Sequence, residues 1–336
     1  MDNPNQLEID IQTKVARLTA VVDEIGKVIV GQRQVIEELM IAILAGGHCL
    51  LEGVPGLAKT LMVSTLAETM ALQFKRVQFT PDLMPSDILG TEILEEDHAS
   101  GKRFFKFQQG PVFTNLMLAD EINRTPPKSQ AALLEAMQEK RVSYGGKTYA
   151  LPSPFFVLAT QNPLEQSGTY PLPEAQLDRF LMFVRVDYPT EAEEMAILRR
   201  TTGTPPSRPQ PLIDAETLLS LQATTREVEI SDALIAYIAR LVRQTRPKQS
   251  QLSQVKKYIR WGAGPRAGQA LVLCAKATAL IDSRYSVTLS DIERVLLAVM
   301  RHRILINFQA EADKVSVDDL VAQLLNEVDK PTTPLK

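Results

Sequence analysis

The stretch Gly53-Val54-Pro55-Gly56-Leu57-Ala58-Lys59-Thr60 decides how this chain is read. A loop that holds phosphates needs glycines where the backbone turns tightly and aims its N–H groups at oxygens. It also needs a lysine to reach the β- and γ-phosphates and a hydroxyl for Mg²⁺. Gly53, Gly56, Lys59 and Thr60 supply all of these. The usual pattern has glycine directly before the lysine; here Ala58 stands there, so that position is expected to hold a conformation open to alanine. The stretch follows the apolar run His48-Cys49-Leu50-Leu51 and opens a helical pattern from Leu61 to Met70, whose N-terminus favours anions.

Four further pieces follow in order. Leu116-Met117-Leu118-Ala119-Asp120-Glu121 reads as an apolar strand ending in two carboxylates, and in an open α/β sheet that tip lies beside the phosphate loop. Asp120 is expected to hold Mg²⁺ through water, and Glu121 to polarise the attacking water as general base. A strand from Phe155 to Thr160 runs into Gln161-Asn162-Pro163, where the neutral amide of Asn162 can bind the γ-phosphate or the lytic water. In Glu174-Ala175-Gln176-Leu177-Asp178-Arg179-Phe180 a helical turn places Arg179 before the last strand. It either pairs locally with Glu174 or Asp178, or reaches a neighbour's γ-phosphate as an arginine finger. Arg266, in Gly262-Ala263-Gly264-Pro265-Arg266-Ala267, starts a helix, where a cation opposes the dipole and hints at an anionic partner.

The remainder supplies the frame. Val15, Leu18, Val22, Ile25 and Ile29, then Val35 to Leu44, recur at helical spacing, the second run stopping at Gly46-Gly47. Five buried strands are predicted: Cys49 to Leu51, Val77 to Phe79, Leu116 to Ala119, Phe155 to Ala159 and Leu181 to Val186. Helical segments between them indicate an α/β fold, a parallel sheet covered on both faces. After Tyr188-Pro189 the pattern is helical, with capping boxes expected at Thr190/Glu193, Ser290/Glu293 and Ser316/Asp319. The domains are therefore read as 1–188, an α/β nucleotide-binding core; 189–330, a smaller all-α domain; and 331–336, a disordered tail. Thr204 to Pro211 reads as a linker. Phe104 to Phe107, after the turn Ala99-Ser100-Gly101-Lys102, and Val142 to Tyr149, around Gly145-Gly146, read as inserted hairpins, and Gln166 to Pro173 as an inserted loop.

Composition sets bounds. In 336 residues, 37 Lys+Arg against 40 Asp+Glu leave a net charge of -3, so nothing global draws the chain to nucleic acid or anionic membrane. Cys49 and Cys274 have neither metal nor disulfide spacing, the three histidines (His48, His98, His302) are scattered, and no apolar run is long enough for a membrane span. A cytoplasmic location fits these features.

Taken in order, these stretches resemble the AAA+ ATPases, from the first helices to about Val328. Within that superfamily the chain is similar to the MoxR family, through the loop with Ala58, Gln78 to Asp87, Asp120-Glu121-Ile122-Asn123-Arg124, Gln130 to Glu139 and Glu174 to Phe180. The resemblance implies Walker A at Gly53 to Thr60 with Leu61 beside it, Walker B at Asp120 and Glu121, sensor 1 at Asn162, an arginine finger at Arg179 and sensor 2 at Arg266. It implies that the hairpins are the helix-2 and pre-sensor-1 inserts, with Phe104, Phe105 and Tyr144 able either to touch a polypeptide or to pack on the inserts. Arg124 becomes a possible second trans-acting arginine, and whether Arg266 serves its own subunit's nucleotide or a neighbour's stays open. ATP and Mg²⁺ are the implied cofactors. A homo-oligomer, a hexameric ring, with von Willebrand factor A domain partners and chaperone-like action on client proteins is the implied assembly. The rival class, a nucleic-acid motor, is implied by helix-2-insert relatives that include replicative helicases and by hairpins able to track a strand; against it stand the slightly acidic composition and basic groups such as Lys256-Lys257 and Arg301-His302-Arg303, short enough to be solvated helix faces. A small-molecule P-loop kinase is a third class, set against by the helical lid.

Overall fold

The computed structural model describes residues 4–96, 103–163, 168–203 and 208–331. Two helices come first, α1 (Pro4–Val28) and α2 (Arg33–Leu44). The five periodic apolar residues from Val15 to Ile29 are all buried, as their spacing requires. Then follow β1 (Cys49–Glu52), α3 (Lys59–Thr69), β2 (Phe74–Gln78), α4 (Pro85–Leu89), β3 (Gly90–Glu96), β4 (Arg103–Gln109) and β5 (Leu116–Asp120). The chain continues through α5 (Pro127–Glu139), β6 (Arg141–Tyr144), β7 (Lys147–Ala150), β8 (Phe156–Gln161), α6 (Glu174–Leu177) and β9 (Met182–Arg185).

The central sheet has five strands in the order β2-β5-β8-β1-β9, paired in parallel. Alternation along each strand sends side chains to two different cores. Cys49, Leu51, Leu116, Leu118, Leu158, Met182 and Val184 face one core with α1, α2 and α3. Leu50, Met117, Ala119, Val157, Ala159 and Phe183 face the other with α5. Burial on both faces is why β1, β5, β8 and β9 read as apolar runs, whereas the edge strand β2, with Lys75 and Arg76 exposed, does not. The first core continues into the C-terminal helices through Leu218, Leu221, Leu271 and Ala275, so one packed interior crosses position 188.

The inserted hairpins are β3–β4 and β6–β7. They pack together through Phe107, which stacks on Tyr149 at 4.4 Å and lies 5.4 Å from Tyr144, while Phe105 stays 71% exposed. Tyr144 thus packs partly on the inserts, and Phe104 and Phe105 point outward. The expected turn at Ala99 to Lys102, His98, Gln166 and the start of the loop it opens, the first half of the Thr204 to Pro211 linker and the tail beyond Pro331 lie outside the described residues.

The C-terminal part comprises α7 (Glu191–Thr201), α8 (Ala215–Glu227), α9 (Asp232–Gln244), α10 (Ser253–Tyr258), β10 (Ile259–Trp261), α11 (Pro265–Ile281), α12 (Leu289–Met300), β11 (Leu305–Ile306), α13 (Phe308–Ala312) and α14 (Val317–Glu327). Capping boxes stand at Thr190 and Ser316 as expected. The third starts at Thr288 with Asp291, not at Ser290 with Glu293, because the buried Asp291 carboxylate caps the Thr288 N–H while gripping Arg284. The helical lid also carries a small antiparallel ribbon, β10 on β11, whose strands are too short and too far apart in sequence to leave a local signal. Among the described residues no helix is long and apolar enough to cross a membrane.

Candidate nucleotide site

β1 ends at Glu52, the phosphate loop follows, and α3 opens at Lys59. A Cβ on Gly53 would sit 2.8 Å from the Val186 carbonyl oxygen, so only glycine fits there. Gly56 takes φ +88. Ala58 corrects the expectation drawn from sequence: its φ of 52 and ψ of 25 are left-handed, a region that costs a non-glycine residue roughly 1–2 kcal/mol. The tight entry into α3 imposes that geometry in spite of the cost. The Lys59 ammonium donates to the Gly53 carbonyl. Burial lowers its pKa, and Asp120, Glu121 and Glu52 oppose that shift, which places three carboxylates within electrostatic reach.

The two acids leave the end of β5 beside this loop. Thr160, at the end of β8, donates its hydroxyl to Asp120 Oδ1 at 2.6 Å and accepts the Glu121 N–H at 2.9 Å. Arg76 on β2 pairs with Asp120 Oδ2 at 2.7 Å. Glu121 sits in the left-handed region at φ 57, an outlier of the kind that collects at functional sites. Its carboxylate accepts from Gln78 Nε2 at 2.5 Å and from Arg124 at 2.9 Å, so Arg124 is engaged within its own chain. Asn162 follows β8, the strand between β1 and β5, and is buried. Parallel pairing therefore delivers the loop, both acids and Asn162 to one edge of the sheet.

Beside the loop an apolar pocket of about 420 Å³ is lined by Ile29, Val30, Leu57, Leu61, Pro189 and Ile197. Its position next to Gly56 and Ala58 suits a flat heteroaromatic base attached to phosphates in the loop.

Arg179 and Arg266 are elsewhere. β9 runs parallel to β1, so residues 178–181 lie at the amino end of the sheet, about 13 Å of strand away from the loop. Both arginines line one cleft there, with Asp178 and Arg303. Arg179 forms no ion pair or side-chain hydrogen bond among the described residues. Of its two possible local partners, Asp178 is taken, binding Arg303 at 2.7 Å and facing Arg266 at 3.6 Å, while Glu174 forms no ion pair with it among the described residues. Arg301-His302-Arg303 is not a solvated helix face. Arg303 and His302 are buried against the turn before β9, and Arg301 pairs with Asp318.

A family model for the ATPase family associated with various cellular activities (AAA) matches residues 48–182, and one for the AAA lid domain matches residues 251–324. The chain is 44% identical to Chaperone MoxR1 of Mycobacterium tuberculosis over 322 residues, covering 96% of this chain and 84% of that protein. The chain belongs to the MoxR family of AAA+ ATPases. Protein MoxR of Paracoccus denitrificans is 32% identical over 83% of this chain and 86% of its own length. The crystal structure of a candidate ATPase from Cytophaga hutchinsonii matches this MoxR chain with a TM-score of 0.90 at 45% identity, covering 97% of this chain and 98% of the other. The sequence-expected fold, an AAA+ sheet followed by a helical lid, is thereby borne out.

Among the described residues no three His, Cys, Asp or Glu side chains converge on a metal position. Mg²⁺ needs no such cluster, since it binds through one or two protein oxygens together with phosphates and water. Thr60 and Asp120 are oxygen donors of that kind. The sequence reading passed over Thr160, Gln78, Arg76 and the apolar pocket. Thr160 and Gln78 could have been found as polar residues ending strands whose carboxyl ends face a phosphate loop. The pocket could not, since its walls come from residues 29 to 197.

Proposed function

We propose that this MoxR protein hydrolyses ATP to ADP and phosphate at sites shared between subunits of a ring, a hexamer, and that the cycle remodels or activates client proteins. The observation that carries this is the position of Arg179 and Arg266 at the end of the sheet opposite their own phosphate loop. From there they can reach a nucleotide only if it is bound to a neighbour, and a head-to-tail contact that closes on itself makes a ring. In this scheme the loop from Gly53 to Leu61 binds the phosphates, and Lys59 spans the β- and γ-groups. Thr60 and Asp120 hold Mg²⁺, which neutralises phosphate charge when bound. Glu121 takes a proton from the attacking water, Asn162 orients that water or the γ-phosphate, and the neighbour's arginines offset the charge of the leaving group. The apolar pocket takes the base.

The division into a core (1–188) and a lid (189–330) belongs to the same proposal, with the arginine cleft lying where the two meet. The chaperone-like role follows the name of the Mycobacterium tuberculosis relative, and von Willebrand factor A domain partners follow the family resemblance. The outward Phe104 and Phe105 suit contact with a polypeptide. The test is phosphate release against protein concentration, with mass measured in parallel. Specific activity should fall on dilution as rings dissociate. Activity that stays flat down to monomer would remove the shared site.

A further inference from the structure

The turn that carries Arg179 is held from the lid by an unusual device. Arg303, whose side chain is 3% exposed, makes four hydrogen bonds: Nε to Asp178 Oδ1 at 2.7 Å, Nη1 to the carbonyls of Leu181 at 3.0 Å and Val299 at 2.5 Å, and Nη2 to the Phe180 carbonyl at 2.7 Å. His302 Nε2 donates to the same Phe180 carbonyl at 3.0 Å. On its other side the turn is pinned by the Leu181 N–H, which donates to the His48 carbonyl at the start of β1. Asp178 turns its second oxygen to Arg266 on α11. One guanidinium therefore grips residues 178, 180 and 181, leaving Arg179 as the residue between them whose side chain is free.

Taking a guanidinium out of water is unfavourable unless its donors are satisfied, so the partners it is given are informative. The partners chosen here are the backbone of the Arg179 turn and the carboxylate that orients Arg266. We infer that Arg303 is a positioning residue for the neighbour's active site: it fixes Arg179 and, through Asp178, Arg266 as a matched pair aimed out of the subunit. This rests on the proposed function, in which both arginines act across the subunit contact. It adds that the lid sets their geometry, so a shift of α12 against β9 would be felt at the next subunit's nucleotide.

The experiment uses Arg303→Met, which keeps the stem and removes the fork, with Arg303→Lys beside it. Arg303→Met is expected to lower kcat by about 100-fold, less than the roughly 10³–10⁵ lost when an arginine finger is itself removed, because Arg179 and Arg266 stay present but misplaced, with KM for ATP changed by less than about threefold. Arg303→Lys should not restore the rate, because an ammonium cannot span the same four acceptors. The deciding measurement mixes Arg303→Met with Lys59→Ala, a subunit lacking its own phosphate-loop lysine but keeping its arginines. Equal random mixing should recover roughly a quarter of the parental rate, since about one contact in four then joins an intact loop to an intact arginine pair. Arg179→Ala mixed with Lys59→Ala is the reference and should recover equally. If the reference recovers and the Arg303 mixture does not, Arg303 serves only its own subunit's fold and the inference is overturned. If neither recovers, the shared site itself fails. Should Arg303→Met not fold, Asp178→Asn, which leaves the three carbonyl contacts in place, takes the same test with the same expected recovery.

Discussion

Thr160→Val tests the local geometry most directly, because valine matches threonine in shape and removes only the hydroxyl. That hydroxyl is 1% exposed at residue level, donates to Asp120 Oδ1 at 2.6 Å and accepts the Glu121 N–H at 2.9 Å. A hydrogen bond to a charged group contributes about 1.5–3 kcal/mol, and leaving a part-buried N–H without its partner costs about 1 kcal/mol more. The two losses share one atom and are not additive, so about 3 kcal/mol is expected. At roughly 1–2 °C per kcal/mol for a chain of 336 residues, melting should fall by about 3–6 °C. Turnover should fall further than stability. The same bond holds Glu121 in its left-handed conformation, and without it the carboxylate has a lower-energy backbone to relax into. Thermal denaturation and phosphate release on the purified protein measure both effects, with Thr160→Ser restoring each. If Thr160→Val melts within about 2 °C of the parent and hydrolyses ATP at the parental rate, then the hydroxyl bridge does not organise the two acids.

Three further outcomes are expected. Glu121→Gln should bind ATP with parental affinity yet lose about 10²–10⁴ in kcat, because the amide can still accept from Gln78 and Arg124 but cannot take a proton; retained turnover would free Glu121 of that role. Ala58→Gly should raise stability by about 0.5–1 kcal/mol, the relief of a left-handed alanine less the extra freedom of glycine in the unfolded chain, and a lowered melting temperature would contradict the φ of 52. Burial pushes the His48 pKa down from 6.5 to about 4, its ring held neutral between the Val157 N–H and the Met137 carbonyl. A folded pKa below the unfolded one means the unfolded chain takes up the proton first. Stability is therefore complete above pH 6.5 and declines as pH falls toward 4, by about 2 kcal/mol between pH 7 and 4.5 for this residue alone. Buried His302, also lowered well below its ordinary value by burial, acts in the same direction. A melting temperature constant across that window would rule out two buried neutral histidines.

Much of the site was visible in the sequence because its chemistry lies at strand ends followed by short loops. Gly53 to Thr60, Asp120-Glu121 and Asn162 each sit within a residue or two of an apolar run, and parallel pairing brings such ends together. Contacts made across long separations were read less well. Arg303 looked like a solvated charge because its partners are 122 or more positions away, apart from the Val299 carbonyl. The Thr288 cap was missed for a related reason: two hydroxyls lie two residues apart, and only burial of Asp291 against Arg284 selects between them.

The order of glycines, lysine, strand-end acids and amide determined by itself that this chain has a phosphate site and which superfamily built it, since those residues must occur in that order and at those spacings for one sheet edge to present them. Ala58 pointed to the family, although its left-handed backbone emerged only from the fold. Where the arginines lie was decided by tertiary structure alone. Arg179 lies close in sequence to strand-end site residues, but a strand has two ends, and the sheet puts that arginine on the far one. The lid then takes the Asp178 carboxylate, one of the two local acids that could have neutralised it, through Arg303 and Arg266.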